Sequence, residues 1–194
     1  MTITREIRPA LSLVVLFTLF TGFLFPEAFT GIMQLVLPYQ ANGSLITQNG
    51  SVVGSALIGQ NFTSPKYFAP RPSALAAPYN AGASGASGAS NLGPASAQLL
   101  TNVKTNVAAY LKAYGPGPVP ADAVTASGSG LDPDISLANA LRQAPAVAAA
   151  RKLAAATVIN LVNQMAHHAV LGIVGTDHIN VLQLNIELDH LPGQ

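Results

Sequence analysis

The chain has 194 residues, 49% of them apolar but only 9% charged, with a net charge of +1 and no cysteine. An ordinary soluble domain carries about 25% charged residues, so Ala, Ser, Gly, Asn and Gln must cover much of this surface. Nine Lys and Arg, scattered along the chain, form no basic face for nucleic acid, and the lack of thiols excludes disulfides and thiolate metal sites.

Residues 10 to 25 read ALSLVVLFTLFTGFLF, sixteen positions without a charge, and after Pro26 and Glu27 the run AFTGIMQLVL continues to Leu37. A membrane-spanning helix needs about 20 mainly apolar residues, so a span has to continue through Pro26. Proline is tolerated there when local adjustments or neighbouring helices satisfy the freed carbonyl. The sequence predicts a transmembrane helix over 9–37, kinked near Pro26, with Pro9 in its first turn. Gly22 and Gly31 are small residues of the kind that let membrane helices approach closely. No A-x-A cleavage pattern follows, which favours a retained anchor over a removed signal peptide. Arg5 and Arg8 precede the span, and the next basic residue is Lys66, so residues 1–8 are expected in the cytoplasm. Residues 39–194 then form a single extracytoplasmic domain.

In that domain, SLITQNGSVVGSALIG (44–59) reads as a hairpin, because Asn49-Gly50 suits a tight turn with two positive φ angles. QNFTSPKYFAPRPSA follows, with three prolines and three aromatics. Residues 76–98 form a Gly/Ser/Ala-rich loop with a repeated Ser-Gly-Ala unit. A helix from Pro94 to about Tyr114 carries one apolar stripe of Leu99, Val103, Val107, Tyr110, Leu111 and Tyr114. A short helix is expected over ISLANALRQA up to Pro145, and a longer one from there to about His168. INVLQLNIELD (179–189) alternates apolar and polar, the pattern of a half-buried strand. The fold class is therefore an α+β extracytoplasmic domain, with an N-terminal hairpin, central helices and a C-terminal strand, tethered by one N-terminal transmembrane helix.

Chemistry is sparse. Asp132-Pro133-Asp134 lacks the third carboxylate and closing Glu of a calcium loop. It reads better as a bend between elements, allowed by Gly128 and Gly130, with Ser136 placed to cap the next helix. His167 and His168 would point to different sides of a helix and cannot converge as i, i+4 ligands do. Neither a G-x-S-x-G elbow nor a Walker-type phosphate loop occurs. Phe62, Tyr67, Phe68 and Arg71 are candidates either for an interface, where aromatics and Arg are enriched, or for fixing the fold.

The motifs taken together resemble the C subunit of the Kdp-type potassium-transporting P-type ATPase. They are the T-G-x-x-x-P of Thr21, Gly22 and Pro26, then YQANGSLI, GSALIGQNF, YFxxRPSA, SGxSN, ASGSGLDPxIS and NVLxLNxxLD, in the family's order. On the interface and fold-fixing positions, the resemblance adds Gly59, Gln60, Ser73, Ser90, Asn91, Leu131, Asp132 and Gln143 to the aromatics and Arg71. It implies a single-pass bacterial inner-membrane protein without an ATPase site of its own. It also implies three partners: a channel-like potassium-translocating subunit, a P-type ATPase subunit and a small single-helix subunit. ATP, Mg2+ and K+ are then used by the complex and not bound by this chain. An L-S-x-x-Q stretch that some members carry reads Leu153-Ala-Ala-Ala-Thr157 here, and an Arg that often follows Pro145 is Ala146. The alanine run offers a phosphate no side-chain donor, so direct nucleotide contact is not expected. The runner-up is a stand-alone membrane-anchored extracytoplasmic binding protein with SGASGASN (84–91) as its ligand loop.

Overall fold

The computed structural model describes residues 3–75 and 86–192, so part of the 76–98 loop lies outside the described residues. It divides into two compact units, one up to Leu45 and one from Ile46.

The first unit is a nearly continuous helix: α1 (Ile3–Leu19), a π-helical turn (Phe20–Leu24) and α2 (Phe25–Val36). Arg5–Val36, 32 residues, is long and apolar enough to cross a membrane. The helix begins earlier than the sequence predicts, so Pro9 lies inside α1 and not in its first turn. The wide turn sits directly before Pro26. A proline ring clashes with the carbonyl four residues back and cannot bond it, and a π-turn is one local adjustment that absorbs this. Thr21 Oγ1 also donates back to the Phe17 carbonyl at 2.6 Å. The short α3 (Pro38–Ala41) follows.

The second unit starts with the hairpin strands β1 (Leu45–Gln48) and β2 (Ser51–Ser55). Asn49 and Gly50 have φ of 51° and 78°, the turn the sequence predicts. Next comes α4 (Ala97–Tyr114), capped by Ser96, whose hydroxyl accepts from the Leu99 N–H. Pro94 therefore precedes the cap instead of opening the helix. Strand β3 (Asp134–Ser136) leads into α5 (Leu137–Arg151), capped by Ser136 as expected. α6 (Ala155–Met165) and strand β4 (His178–Asn180) come next, and β4 pairs antiparallel with β3, Ile135 opposite Ile179.

Three expectations are corrected. Pro145 does not split a helix: α5 runs through it, with the proline on an exposed face, and stops at Lys152, which is left-handed at φ 58°. His167 and His168 are not helical, because α6 ends at Met165 and His167 pairs in a bridge with His178. Most importantly, the C-terminal strand is a helix, α7 (Val181–Asp189), preceded only by the three residues of β4. Its buried residues, Val181, Leu182, Leu184, Asn185 and Leu188, follow the helical period. Asn180 caps it, accepting from the Gln183 N–H at 3.1 Å. Strict alternation of Leu182, Leu184, Ile186 and Leu188 hides that spacing, since Leu184 and Leu188 serve both patterns.

The core joins these pieces. Ala140, Ala144, Val147 and Ala148 of α5 pack with Val158 and Val162 of α6, with Val181, Leu184 and Leu188 of α7, with Ile135 and Ile179 of the strands, and with Phe68. Small alanines on α5 let the neighbouring helices approach closely.

Candidate functional site

Within the second unit, several sequence motifs converge on one place, the irregular segment 66–73, which is clamped from three sides. From α5, Gln143 accepts from the Ala69 N–H at 2.8 Å and donates back to the Ala69 carbonyl at 3.2 Å. From α7, Asn185 does the same for Phe68, at 2.8 and 3.0 Å. Both amides are fully buried, and both imitate the edge of a β-strand for a segment that has no strand neighbour. Extended backbone buried without such partners carries a large cost.

The third clamp is electrostatic. Arg71 Nη1 meets Asp132 Oδ2 at 2.8 Å, and the guanidinium also reaches the Thr125 carbonyl at 3.4 Å. Asp132 Oδ1 accepts from the Asp134 N–H at 3.1 Å, forming its own turn over Pro133. Ser73 donates to the Gly130 carbonyl at 2.7 Å, and Gly59 donates to the Leu131 carbonyl at 2.9 Å. Gly130 is at φ +69°, and a Cβ there would lie 2.7 Å from the Gly88 carbonyl oxygen. The opening of the loop 127–136 is thus a packed junction between chain segments distant in sequence.

At the other end of the segment, Arg151 donates to the Lys66 carbonyl at 2.6 Å and to the Leu188 carbonyl at 3.3 Å, and pairs with Asp189. Its guanidinium lies 4.7 Å from the Tyr67 ring centroid, and Tyr67 OH donates to Asp189 at 3.1 Å. Phe62 packs at 5.5 Å on Tyr67, and Phe68 is wholly buried in the core.

A second polar layer lies behind. Asp122 accepts from the Ser136 N–H and hydroxyl at 2.9 and 2.8 Å, and from Asn139 at 3.0 Å. Asn139 accepts in turn from Tyr110 OH at 2.9 Å and from Gln143 at 3.0 Å. Tyr114 OH reaches Gln143 at 3.3 Å. Burial pushes both phenols above their ordinary range, with Tyr114 adding to the shift of Tyr110, so neither ionises near neutral pH. The carboxyl of Asp134 is also raised, first by burial; His178 opposes the shift and Asp132 adds to it.

Gln60 stays half-buried beside Gly54, and Leu131 is half-buried. Ser90 and Asn91 are exposed, Asn91 with φ 52°. Gly22 lies in the π-turn and Gly31 in α2, and a Cβ at either would meet nothing within 4 Å among the described residues. Of the Ser-Gly-Ala loop, the described part is held by the 127–130 bend: Ser87 Oγ and the Gly88 N–H both donate to the Ser129 carbonyl.

Sequence reading missed Asp122, Asn139, Arg151, Asn185 and Asp189. The readable signal was polar side chains on the apolar stripe of a helix: Asn139 and Gln143, four apart, share the face of Ala140 and Ala144. A cleft lined by Asp122, Asp132, Asp134 and His178 gathers three carboxylates. Each is engaged, Asp122 and Asp132 as described and Asp134 by Asn180 at 3.3 Å. Among the described residues no cluster of three or more His, Asp or Glu is arranged to hold a metal ion.

Comparison with known proteins bears on this arrangement as a whole. The family model "K+-transporting ATPase, c chain" matches residues 7–190. The potassium-transporting ATPase KdpC subunit of Allorhizobium ampelinum is 50% identical over 185 residues, covering 95% of each chain. The subunit of the same name from Janthinobacterium sp. strain Marseille is 52% identical over 94% of this chain and 96% of its own. That of Mycobacterium bovis is 47% identical over 96% and 99%.

Proposed function

The chain belongs to the KdpC family, the accessory c chains of K+-transporting ATPase complexes, and on that premise we propose that its own contribution is assembly and not chemistry. It holds the channel-like potassium-translocating subunit and the P-type ATPase subunit together, beside a small single-helix subunit. The long apolar helix anchors it in the bacterial inner membrane, with the N-terminus cytoplasmic and the unit from Ile46 outside. ATP, Mg2+ and K+ are handled by the complex, and this chain binds none of them itself.

One observation carries the reading: near 50% identity to KdpC subunits over almost the whole chain. The geometry supports it, because the motif side chains are committed to one another. Gln143 holds backbone, Arg71 and Asp132 form an ion pair, and Tyr67 bonds Asp189, so among these motif residues no nucleophile is poised beside a free base. Gly22, Pro26 and Gly31 on the anchor are then contact positions for neighbouring membrane helices.

Purification through a tag on this chain after mild solubilisation tests the proposal. Co-elution of the larger membrane subunits is expected, and elution as a lone species contradicts it. The stand-alone binding protein is not favoured, since the relatives that match end to end are transport-ATPase subunits.

A further inference from the structure

The segment between α6 and β4 has no role in the clamp. His167 and His178 exchange backbone hydrogen bonds of 2.8 and 3.0 Å, and their rings stack at 5.5 Å. Beyond them, Val170 and Val174 exchange bonds of 2.9 and 3.0 Å, so that 171–173 form the tip of a small hairpin. The tip is aliphatic and open to water: Val170 is 64% exposed, Leu171 89%, Ile173 84% and Val174 66%. Apart from the apolar helix, no comparable run of large apolar residues is exposed among the described residues.

Two features show that this is not an indifferent loop. Leu171 has φ +55°, a left-handed conformation that a leucine adopts only at a cost and that Gly or Asn would adopt easily. The fold therefore gains nothing from leucine there, neither local comfort nor burial. Exposed apolar groups that serve no packing role mark contact sites.

Charge decides between occupants. No Asp, Glu, Lys or Arg occurs between Lys152 and Asp177, and the tip holds no Trp, Tyr or Phe. Loops that bind a bilayer surface use cations toward anionic headgroups and aromatic rings at the interface. The hairpin base likewise carries no Lys or Arg: its ionisable groups are His167, His168, His178 and Asp177, whose carboxylate accepts from the Ala169 N–H at 3.0 Å and lies 3.1 Å from His168. That base therefore offers an anionic lipid surface no Lys or Arg to hold it. A charge-free aliphatic centre with polar groups at its rim is instead the make-up of a protein interface core.

We propose that the 170–174 tip is a docking element that seats its four aliphatic side chains in an apolar groove on another subunit of the same ATPase complex. This rests on the subunit assignment above and names the surface through which the folded unit makes its contact. The hairpin base, with its paired His167 and His178, sets the direction in which the tip projects.

The chain has no cysteine, so Leu171→Cys and Ile173→Cys each introduce a single thiol at an exposed site. The measurement is the rate of reaction with a membrane-impermeant maleimide. It is made on the full chain alone in lipid nanodiscs and on the purified complex in the same discs. Labelling should be fast in the lone chain and about tenfold or more slower in the complex, where a seated anchor excludes water. A double Leu171→Ser, Ile173→Ser variant should reduce co-purification of the other subunits while the lone chain melts at an unchanged temperature. Equal rates in both preparations would overturn the proposal while leaving the subunit assignment intact. Slow labelling already in the lone chain also overturns it, with the bilayer or a second copy as the occupant. A chain that never co-purifies with other subunits overturns the assignment and the proposal together, and this is seen before any labelling.

Discussion

Gln143 and Ala69 exchange two hydrogen bonds across 74 positions of sequence, so one side-chain amide on α5 stands where a neighbouring strand would otherwise be. Asn185 repeats the device for Phe68 from α7. These two amides fix the segment that carries Tyr67 and Arg71, and through it they tie both helices to the loop around Asp132.

Gln143→Leu keeps the volume but leaves the part-buried Ala69 N–H and carbonyl without their partner. Each buried unsatisfied group costs about 1–3 kcal/mol, so a clear fall in denaturation temperature is expected for the full chain in detergent. Gln143→Glu should be worse, since it also buries a charge. Asn185→Leu should behave like Gln143→Leu, and the double variant should lose less than the sum, because Phe68 and Ala69 are released together. Melting followed by circular dichroism measures all four.

Arg151→Lys retains a cation but not the planar fork that serves Lys66, Leu188 and Asp189 at once while lying over Tyr67. A loss of about 2–4 kcal/mol is expected, because Arg and Lys are not equivalent at a buried multi-point site. Denaturant titration should place the Arg151→Lys variant close to the Arg151→Met variant, and both well below the parent.

Much of this was legible in the sequence, for reasons visible in particular residues. Asn49-Gly50 specifies its turn by backbone sterics alone, and Ser136 announces a helix start by local hydrogen bonding, whereas the cap at Ser96 is masked by Pro94, which reads as the start instead. The apolar run before Leu37 needs no tertiary context either. The failures lie where local signals tie. Pro145 reads as a break, but its ring sits on an exposed face of α5 and the core stripe carries the helix through. In α7, Leu184 and Leu188 fit strand and helix equally, and the buried Asn185 decides the matter only once Phe68 is in place. Arg151 was invisible because its partners are backbone carbonyls from 85 and 37 positions away.

Gly130→Ala tests the packed bend. The left-handed φ of +69° and the approach to the Gly88 carbonyl leave no room for a methyl group. A loss of about 1–3 kcal/mol is expected, with proteolysis near the Ser-Gly-Ala loop as a second readout. Gly128→Ala, with open space around its Cβ, should be close to neutral.

Asp134 predicts a pH dependence of definite sign. Its carboxyl is raised by burial, so the folded protein holds that proton more tightly than the unfolded chain. This contribution favours folding at low pH and is lost as pH rises from the ordinary carboxylate range through the folded value. Asp134→Asn should flatten that part of the stability profile and leave the protein no less stable at pH 7. A steeper profile in the variant contradicts the burial argument.

Whether this chain is scaffold or chemistry is decided by K+-stimulated ATP hydrolysis per assembled complex, measured with Asp132→Asn in this chain. Breaking the Arg71 pair should lower the amount of complex recovered while each recovered complex turns over within about twofold of the parent, a change of only a few tenths of a kcal/mol in barrier. Full recovery of complex with hydrolysis abolished would contradict the account, because it would make Asp132 part of the chemistry and not of the scaffold.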